Sequence, residues 1–236
     1  YIVINFAQMK IMKENLEIWE NIFQEREWGK YPALPVVRFV ARNFYKVPNR
    51  KDIKILEVGS GTGANLWYCA KEGFNVIALD GSQTAVDIML KRFKYDGLDK
   101  SVIFSEVGDY FNTLDSIEDG TIDAVIDIES LIYNDFERTK EIIKKIFKKL
   151  KSGGKFISMA FADGTWGMDC EECGYHLVRP VEGPMANEGI NRYTTKEDIT
   201  NLYKLDNNKI EKIERQDYYF ENGKALKEWV IEIAKI

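Results

Sequence analysis

Glu57-Val58-Gly59-Ser60-Gly61-Thr62-Gly63-Ala64-Asn65 follows directly on a short apolar run, Ile53 to Val58 (IKILEV), and leads into a stretch of helical character from about Gly63 to Lys71. Such a glycine-rich turn between a buried strand and a helix lets a ligand come close to the backbone. It also aims free helix N-terminal amides at an anionic group. The spacing satisfies the dinucleotide fingerprint as well, with Ala64 in its last position, so the loop alone predicts a nucleotide-like ligand without choosing one. Packing alone is the competing explanation for the glycines, because strand-to-helix turns use them structurally too.

Downstream of this loop, apolar runs and helical stretches alternate, which predicts βαβ units and a parallel sheet. Strands are expected at Asn75 to Asp80 (NVIALD), Ser101 to Val107, Ile122 to Ile128 (IDAVIDI) and Lys155 to Phe161 (KFISMAF). Helices are expected at Gln83 to Lys94 and Phe136 to Leu150, the latter closed by Lys151-Ser152-Gly153-Gly154. Ile142, Ile143, Ile146, Phe147 and Leu150 mark one face of that last helix, so its lysines read as a solvated outer face. Residues 162–194 are rich in Gly, Pro and charge, and a helix resumes over Thr195 to Tyr203 with a Thr cap. Lys209 to Phe220 and Ala225 to Ile236 read as a hairpin turned at Glu221-Asn222-Gly223. The expected fold is α/β: a Rossmann-like doubly wound mixed sheet of five parallel strands plus a C-terminal antiparallel hairpin, with helices on both faces.

The 236 residues, 45% of them hydrophobic, suit a single domain spanning 1–236. Within it the sequence suggests an N-terminal helical lid (9–48), a ligand-binding core (50–161), an insert and helix for a second ligand (162–204) and the hairpin (209–236). Lys and Arg total 33 against 38 acidic residues, a formal charge of -5, so no basic field draws nucleic acid. No apolar run approaches the roughly 20 residues needed to cross a bilayer, and no secretory leader is evident. With three cysteines only, a cytoplasmic, reducing setting is expected. Tyr1 to Gln8 precede Met9 and read as an extension without function.

Acidic residues recur at the expected ligand-facing strand ends: Glu57 in the glycine loop, Asp80 in LDGS and Asp109 in VGDYF. Asp also caps helices and fits tight turns, but three in succession at these ends call for a ligand. The acidic residue inside E-x-G-x-G-x-G, the one ending the second strand, the Gly-Asp after the third and the hairpin tail together resemble class I S-adenosylmethionine-dependent methyltransferases. The resemblance covers about residues 50 to 236. It implies that Gly59, Gly61 and Gly63 surround the amino-acid end of S-adenosylmethionine while Glu57 orders the loop or reaches the ammonium. Asp80 would take the ribose hydroxyls by charge-assisted hydrogen bonds, with Gly81 and Ser82 beside it. Asp109 would accept from the adenine amino group, flanked by Gly108 and Tyr110, and Ile128 would approach the adenosine or methionine portion. S-adenosylhomocysteine would be the product.

Before the core, Trp19, Phe23 and Trp28-Gly29-Lys30-Tyr31-Pro32 lead into an expected helix from about Leu34 to Tyr45. Family members often fold such a segment over the cofactor. Trp28 or Tyr31 could then sit beside the sulfonium, where an aromatic face attracts positive charge, while Trp19 and Phe23 are expected to pack on the helix layer.

The acceptor is expected to be a small molecule meeting residues 162–194. Nitrogen-methylating enzymes of nucleobases and glutamine usually carry an Asn/Asp-Pro-Pro-aromatic motif after the fourth strand, but Asp127-Ile128-Glu129-Ser130 stands there. His176, the only histidine, is a candidate general base for a hydroxyl, and Glu129 a candidate facing the acceptor. Arg179, Glu182 and Arg192 are candidate acceptor-binding residues or surface ion pairs. Oxygen transfer to a sugar, phosphoramidate or other metabolite is therefore expected, with a weak resemblance to bacterial surface-polysaccharide enzymes. A small amine is the alternative. Cys170, Cys173 and His176 form C-x-x-C-x-x-H without a fourth ligand, so no metal is expected. A nicotinamide-dependent oxidoreductase of short-chain type would need Tyr and Lys four residues apart, and none of the twelve tyrosines has that partner. A noncatalytic cofactor-binding domain is the third reading. Oligomeric state is left open.

Overall fold

The computed structural model describes residues 6–236. Residues 1–5, the greater part of the expected extension, lie outside the described residues, whereas Phe6 already opens the first helix. The helices are α1 (Phe6–Glu25), α2 (Leu34–Phe44), α3 (Ala64–Lys71), α4 (Gln83–Tyr95), α5 (Tyr110–Thr113), α6 (Phe136–Lys149) and α7 (Lys196–Tyr203). The strands are β1 (Lys54–Val58), β2 (Asn75–Asp80), β3 (Val102–Val107), β4 (Ile122–Ile128), β5 (Leu150–Phe161), β6 (Glu171–Gly174), β7 (Leu177–Arg179), β8 (Asn191–Arg192), β9 (Asn208–Tyr219) and β10 (Ala225–Lys235).

The expected Rossmann-like mixed sheet is present, in the order β3-β2-β1-β4-β5-β10-β9. Strands β1 to β5 are parallel, and β10 runs antiparallel to both β5 and β9. Residues alternate between two cores, as a doubly covered sheet requires. Leu56, Val58, Ile77, Leu79 and Val125 face one core with α6 and α7. Ile55, Val76, Ala78, Ala124 and Ile126 face the other with α2, α3 and α4. Helix α6 buries Ile142, Ile143, Ile146 and Phe147 at helical spacing, and its Lys145 and Lys149 pair with Asp115 and Asp119.

Several boundaries differ from the sequence reading. β3 begins at Val102 because Asp99–Ser101 form a single 3-10 turn. Leu150 belongs to β5: it pairs with Ile122 while Lys155 pairs with Ala124, so Lys151 to Gly154 bulge out opposite Asp123 instead of ending the strand pairing. The insert contains a three-stranded antiparallel sheet, β6-β7-β8, that Gly/Pro content concealed. The C-terminal hairpin forms as expected, with Gly223 at φ 77 and Phe220 N–H donating to Lys224 O at 2.9 Å. Among the described residues no helix is long and apolar enough to cross a membrane.

The order of strands reverses beside β1, with β2 on one side and β4 on the other. Open α/β sheets receive ligands in the crevice outside the carboxyl ends at this point. Helix α1 lies across the same end: Glu20 accepts hydrogen bonds from the Ser82 and Thr84 hydroxyls at the start of α4.

Candidate functional site

A cavity of about 510 Å³ opens at the carboxyl ends of β1, β2, β3 and β4 and is roofed by α1 and the segment leading to α2. That volume suits a metabolite or cofactor. Its floor is the glycine loop, where the three glycines have different tasks. A Cβ on Gly59 would stand 1.9 Å from Ser130 Oγ, and one on Gly63 would stand 2.3 Å from Met89 Cγ, so both permit close packing. Gly61, at φ 51, has nothing nearer than Phe23 at 3.6 Å. Its amide donates to Asp80 Oδ2 at 2.7 Å, leaving the outer side of the residue to the cavity.

Glu57 and Asp80 are both buried at the cavity wall. Glu57 Oε1 accepts from Asn65 Nδ2 at 2.7 Å, and Asn65 Oδ1 in turn accepts from Ala33 N at 2.9 Å, tying the start of α2 to the loop. Glu57 Oε2 is buried without a partner, as is Ser60 Oγ. Burial pushes the Glu57 carboxyl well above its ordinary range; the Asn65 hydrogen bond opposes this, and the charges of Asp80 and Asp127 add to it. Asp80 Oδ1 accepts from Ser82 N at 2.8 Å. Burial nevertheless raises the Asp80 carboxyl, outweighing the amides of Ser82 and Gly61.

Asp109 also lines the cavity, with both oxygens engaged: Oδ1 caps α5 by accepting from Phe111 N at 3.0 Å, and Oδ2 pairs with the buried Arg138. Tyr110 and Ile128 line the wall beside it, as do Gly81 and Ser82 near Asp80. Gly108 is not among the lining residues. It sits at φ 151, where a Cβ would approach Thr113 Cγ2 to 3.1 Å.

Trp28 and Tyr31 both reach the cavity, Tyr31 at its exposed mouth. Trp19 and Phe23 correct the sequence reading. They line the cavity instead of packing only on the helix layer, and Trp28 meets them edge-on at centroid distances of 5.1 and 5.9 Å. Residues 12, 15, 16, 19 and 23 of α1 all line it at helical spacing, a signal present in the sequence.

The remaining candidates divide. Glu129 lines the cavity in the left-handed region, at φ 55, with its amide donating to Met159 O at 3.1 Å. Burial pushes its carboxyl well above the ordinary range, and the neighbouring acidic Glu228 of β10, itself buried, adds to the rise. Tyr133 also lines the wall, and its hydroxyl is buried without a partner.

His176 is not brought to the cavity. It occupies the tight β6–β7 turn at φ 53, stacks on Tyr175, and its Nδ1 lies 2.8 Å from Asp198 Oδ2 in the capping box of α7. Arg179 is tied to Glu14 of α1, Glu182 to Lys224 at 2.9 Å, and Arg192 is wholly buried beneath Phe136, donating to Thr194 Oγ1 at 3.0 Å. None of the three lines the cavity: Arg179 and Glu182 join the insert to its neighbours, while Arg192 lies buried with its Nε and Nη2 unpartnered. Among the described residues no group of three or more His, Cys, Asp or Glu side chains is arranged to hold a metal ion.

Residues 55–154 match the family described as "Methyltransferase domain". No curated protein sequence matches the chain. Among solved structures, an S-adenosylmethionine-dependent methyltransferase of Methanosarcina mazei superimposes with a TM-score of 0.66 at 20% identity, covering 87% of this chain and 99% of that one. One from Anabaena variabilis has a TM-score of 0.66 at 14% identity and covers 96% and 95%. Phosphoethanolamine N-methyltransferase 2 of Haemonchus contortus, solved with phosphomonomethylethanolamine and S-adenosylhomocysteine, has a TM-score of 0.63 at 14% identity and covers 100% and 60%. These structural likenesses concern the fold, and the sequence match concerns the segment that carries the glycine loop and the acidic strand ends. Residues 55–154 therefore match a methyltransferase domain, and the chain around them has the fold of the class I, Rossmann-like S-adenosylmethionine-dependent methyltransferases.

Proposed function

We propose that this cavity holds S-adenosylmethionine and a small-molecule acceptor together, and that the N-terminal segment closes over both. The observation that carries the reading is the pair of buried, unpartnered oxygens, Glu57 Oε2 and Ser60 Oγ, beside Asp80 and the open face of Gly61. Buried polar atoms without partners are costly, at about 1–3 kcal/mol each, and a ligand with complementary groups removes that cost. In this reading Glu57 accepts from the cofactor's ammonium, and Asp80 accepts from the ribose hydroxyls with the lone pairs its backbone amides leave free. Asp109, Tyr110 and Ile128 border the adenine, and Trp19, Phe23 and Trp28 shield the reacting end from water.

The cofactor supplies an electrophilic methyl group on a sulfonium. What the chain contributes is alignment of acceptor and methyl, since in-line displacement depends chiefly on positioning. The acceptor, read from sequence as an oxygen of a sugar, phosphoramidate or other small metabolite, lies against Glu129, Tyr133, Met185 and Glu188. His176 takes no part in deprotonating it; its ring faces Asp198. Incubating the protein with S-adenosylmethionine and matched sets of alcohols and amines, with S-adenosylhomocysteine quantified by mass spectrometry, tests the activity. Acceptor-dependent product is expected. Tight cofactor binding with no product from any acceptor would instead favour a noncatalytic cofactor-binding domain.

A further inference from the structure

We propose that the acceptor is an uncharged hydroxyl compound whose oxygen is held between the Trp19 indole N–H and the Tyr133 hydroxyl. This rests on the methyl-transfer reading above and adds the acceptor's charge and the side chains that select it. Both residues line the cavity, Trp19 from α1 and Tyr133 from the single 3-10 turn after β4, and their rings meet edge-on with centroids 5.3 Å apart. Among the described residues neither Trp19 Nε1 nor Tyr133 Oη has a hydrogen-bond partner, although both atoms are buried. Burial, and then the charges of Glu129 and Glu188, push the Tyr133 hydroxyl well above its ordinary range, and the Trp19 N–H opposes that rise as a neighbouring donor does.

The frame that carries the two rings is tied down elsewhere. Asn15, one helical turn before Trp19, donates to Tyr133 O at 3.1 Å and to Ile190 O at 2.8 Å, and accepts from Ile190 N at 2.8 Å. Gly189 makes room for it, since a Cβ there would stand 2.6 Å from Asn15 Oδ1. Helix α1, the Tyr133 turn and the insert are thus joined through backbone groups, and the polar tips of Trp19 and Tyr133 take no part in joining them. Buried donors and acceptors ordinarily find partners within the fold. Two that do not, on facing walls of one cavity, are completed by a ligand oxygen between them.

The chemistry of the pair chooses that ligand. An indole N–H only donates, so the atom facing it must offer a lone pair, whereas a tyrosine hydroxyl both donates and accepts. A hydroxyl on the acceptor meets both demands: its oxygen accepts from Trp19, and it exchanges a hydrogen bond with Tyr133. An ammonium has no lone pair, leaves the indole N–H open and is repelled by the cofactor's sulfonium. An anion fails for a different reason. The described residues lining the cavity include the carboxylates Glu57, Asp80, Asp109, Glu129 and Glu188 but no Lys, Arg or His, so phosphate or carboxylate on the acceptor meets like charge. Phe23, Trp28 and Met185 supply apolar surface for its carbon frame.

The test uses the full chain saturated with S-adenosylhomocysteine, titrated by NMR with probes that share one ring: benzyl alcohol, toluene, benzylammonium and benzyl phosphate. Benzyl alcohol is expected to bind about fivefold more tightly than each of the others, or better. Tyr133→Phe removes a single oxygen and should erase the preference over toluene, while the melting temperature of the free chain stays level or rises, because a buried hydroxyl without a partner stabilises nothing. Trp19→Phe should reduce the same preference with affinity for toluene retained. A lowered melting temperature in Tyr133→Phe with the alcohol preference intact, the pattern of a purely structural tyrosine, would overturn the proposal. So would an alcohol that binds no better than toluene, or tighter binding of the ammonium or the phosphate. In the turnover assay with matched alcohols and amines, product from alcohols supports it, and product from amines alone refutes it while leaving methyl transfer intact. Failure to bind S-adenosylhomocysteine at all would overturn the cofactor reading and, with it, this proposal.

Discussion

Replacing Asp80 by Ala removes a carboxylate that serves the fold and the proposed cofactor site at once, and the two effects can be separated. The side chain is 7% exposed and accepts from Gly61 N at 2.7 Å and Ser82 N at 2.8 Å. Its loss strands two amides next to a solvent-reachable cavity. Where water cannot replace the carboxylate, each stranded amide costs about 1–3 kcal/mol of stability. The cofactor loses charge-assisted hydrogen bonds from its ribose, for which about 1.5–3 kcal/mol is the expected change. At 1.4 kcal/mol per factor of ten, this is a rise in Kd of roughly ten- to one-hundred-fold. Calorimetric titration with S-adenosylmethionine measures it, and thermal melting of the unliganded variant reports the fold separately. An affinity within about twofold of the parent, in a variant that melts cooperatively, would refute the assignment of Asp80 to the ribose.

Other perturbations address separate parts of the account. Glu57→Gln should weaken cofactor binding and flatten its pH dependence. Burial raises the Glu57 carboxyl, so an ammonium ligand that favours its ionised form should bind more tightly as pH rises; a slope unchanged in the variant would count against this. Asp127, buried and pushed up to about 6 in the fold, holds its proton more tightly when folded than unfolded. Its contribution is therefore fully present below pH about 4 and lost as pH rises through about 6, a difference of about 3 kcal/mol that denaturant titrations should find in the parent and not in Asp127→Asn. Gly59→Ala should cost about 1–3 kcal/mol from the collision with Ser130, with extra strain at φ 67. Adding Ser130→Gly should recover the collision part only, a non-additivity that a double-mutant cycle reads directly. His176→Ala should retain methyl transfer while losing about 1 kcal/mol of stability through Asp198; lost turnover in a stable variant would return His176 to the reaction.

The parallel core was legible because its signal is local and repeated. β1 to β5 are short apolar runs, and acidic residues stand at their ligand-facing ends, so spacing alone placed Glu57, Asp80 and Asp109 around one cavity. The hairpin was legible from Asn222-Gly223 for the same reason. The insert was not. Its strands span 2–4 residues and are stabilised by long-range contacts such as Arg179 with Glu14, so Gly and Pro content hid a sheet. His176 misled because a lone histidine carries no sequence record of its partner, here Asp198 in a helix cap. Trp19 and Phe23 could have been assigned by following the helical period from Met12, which places one face of α1 over the cavity.

Calorimetric titration of the purified chain with S-adenosylmethionine, S-adenosylhomocysteine and NAD in parallel tests the central claim most directly. Saturable one-to-one binding of the first two, with no heat from NAD, is the predicted result. Binding of NAD alone would contradict the account and assign the glycine loop to a dinucleotide.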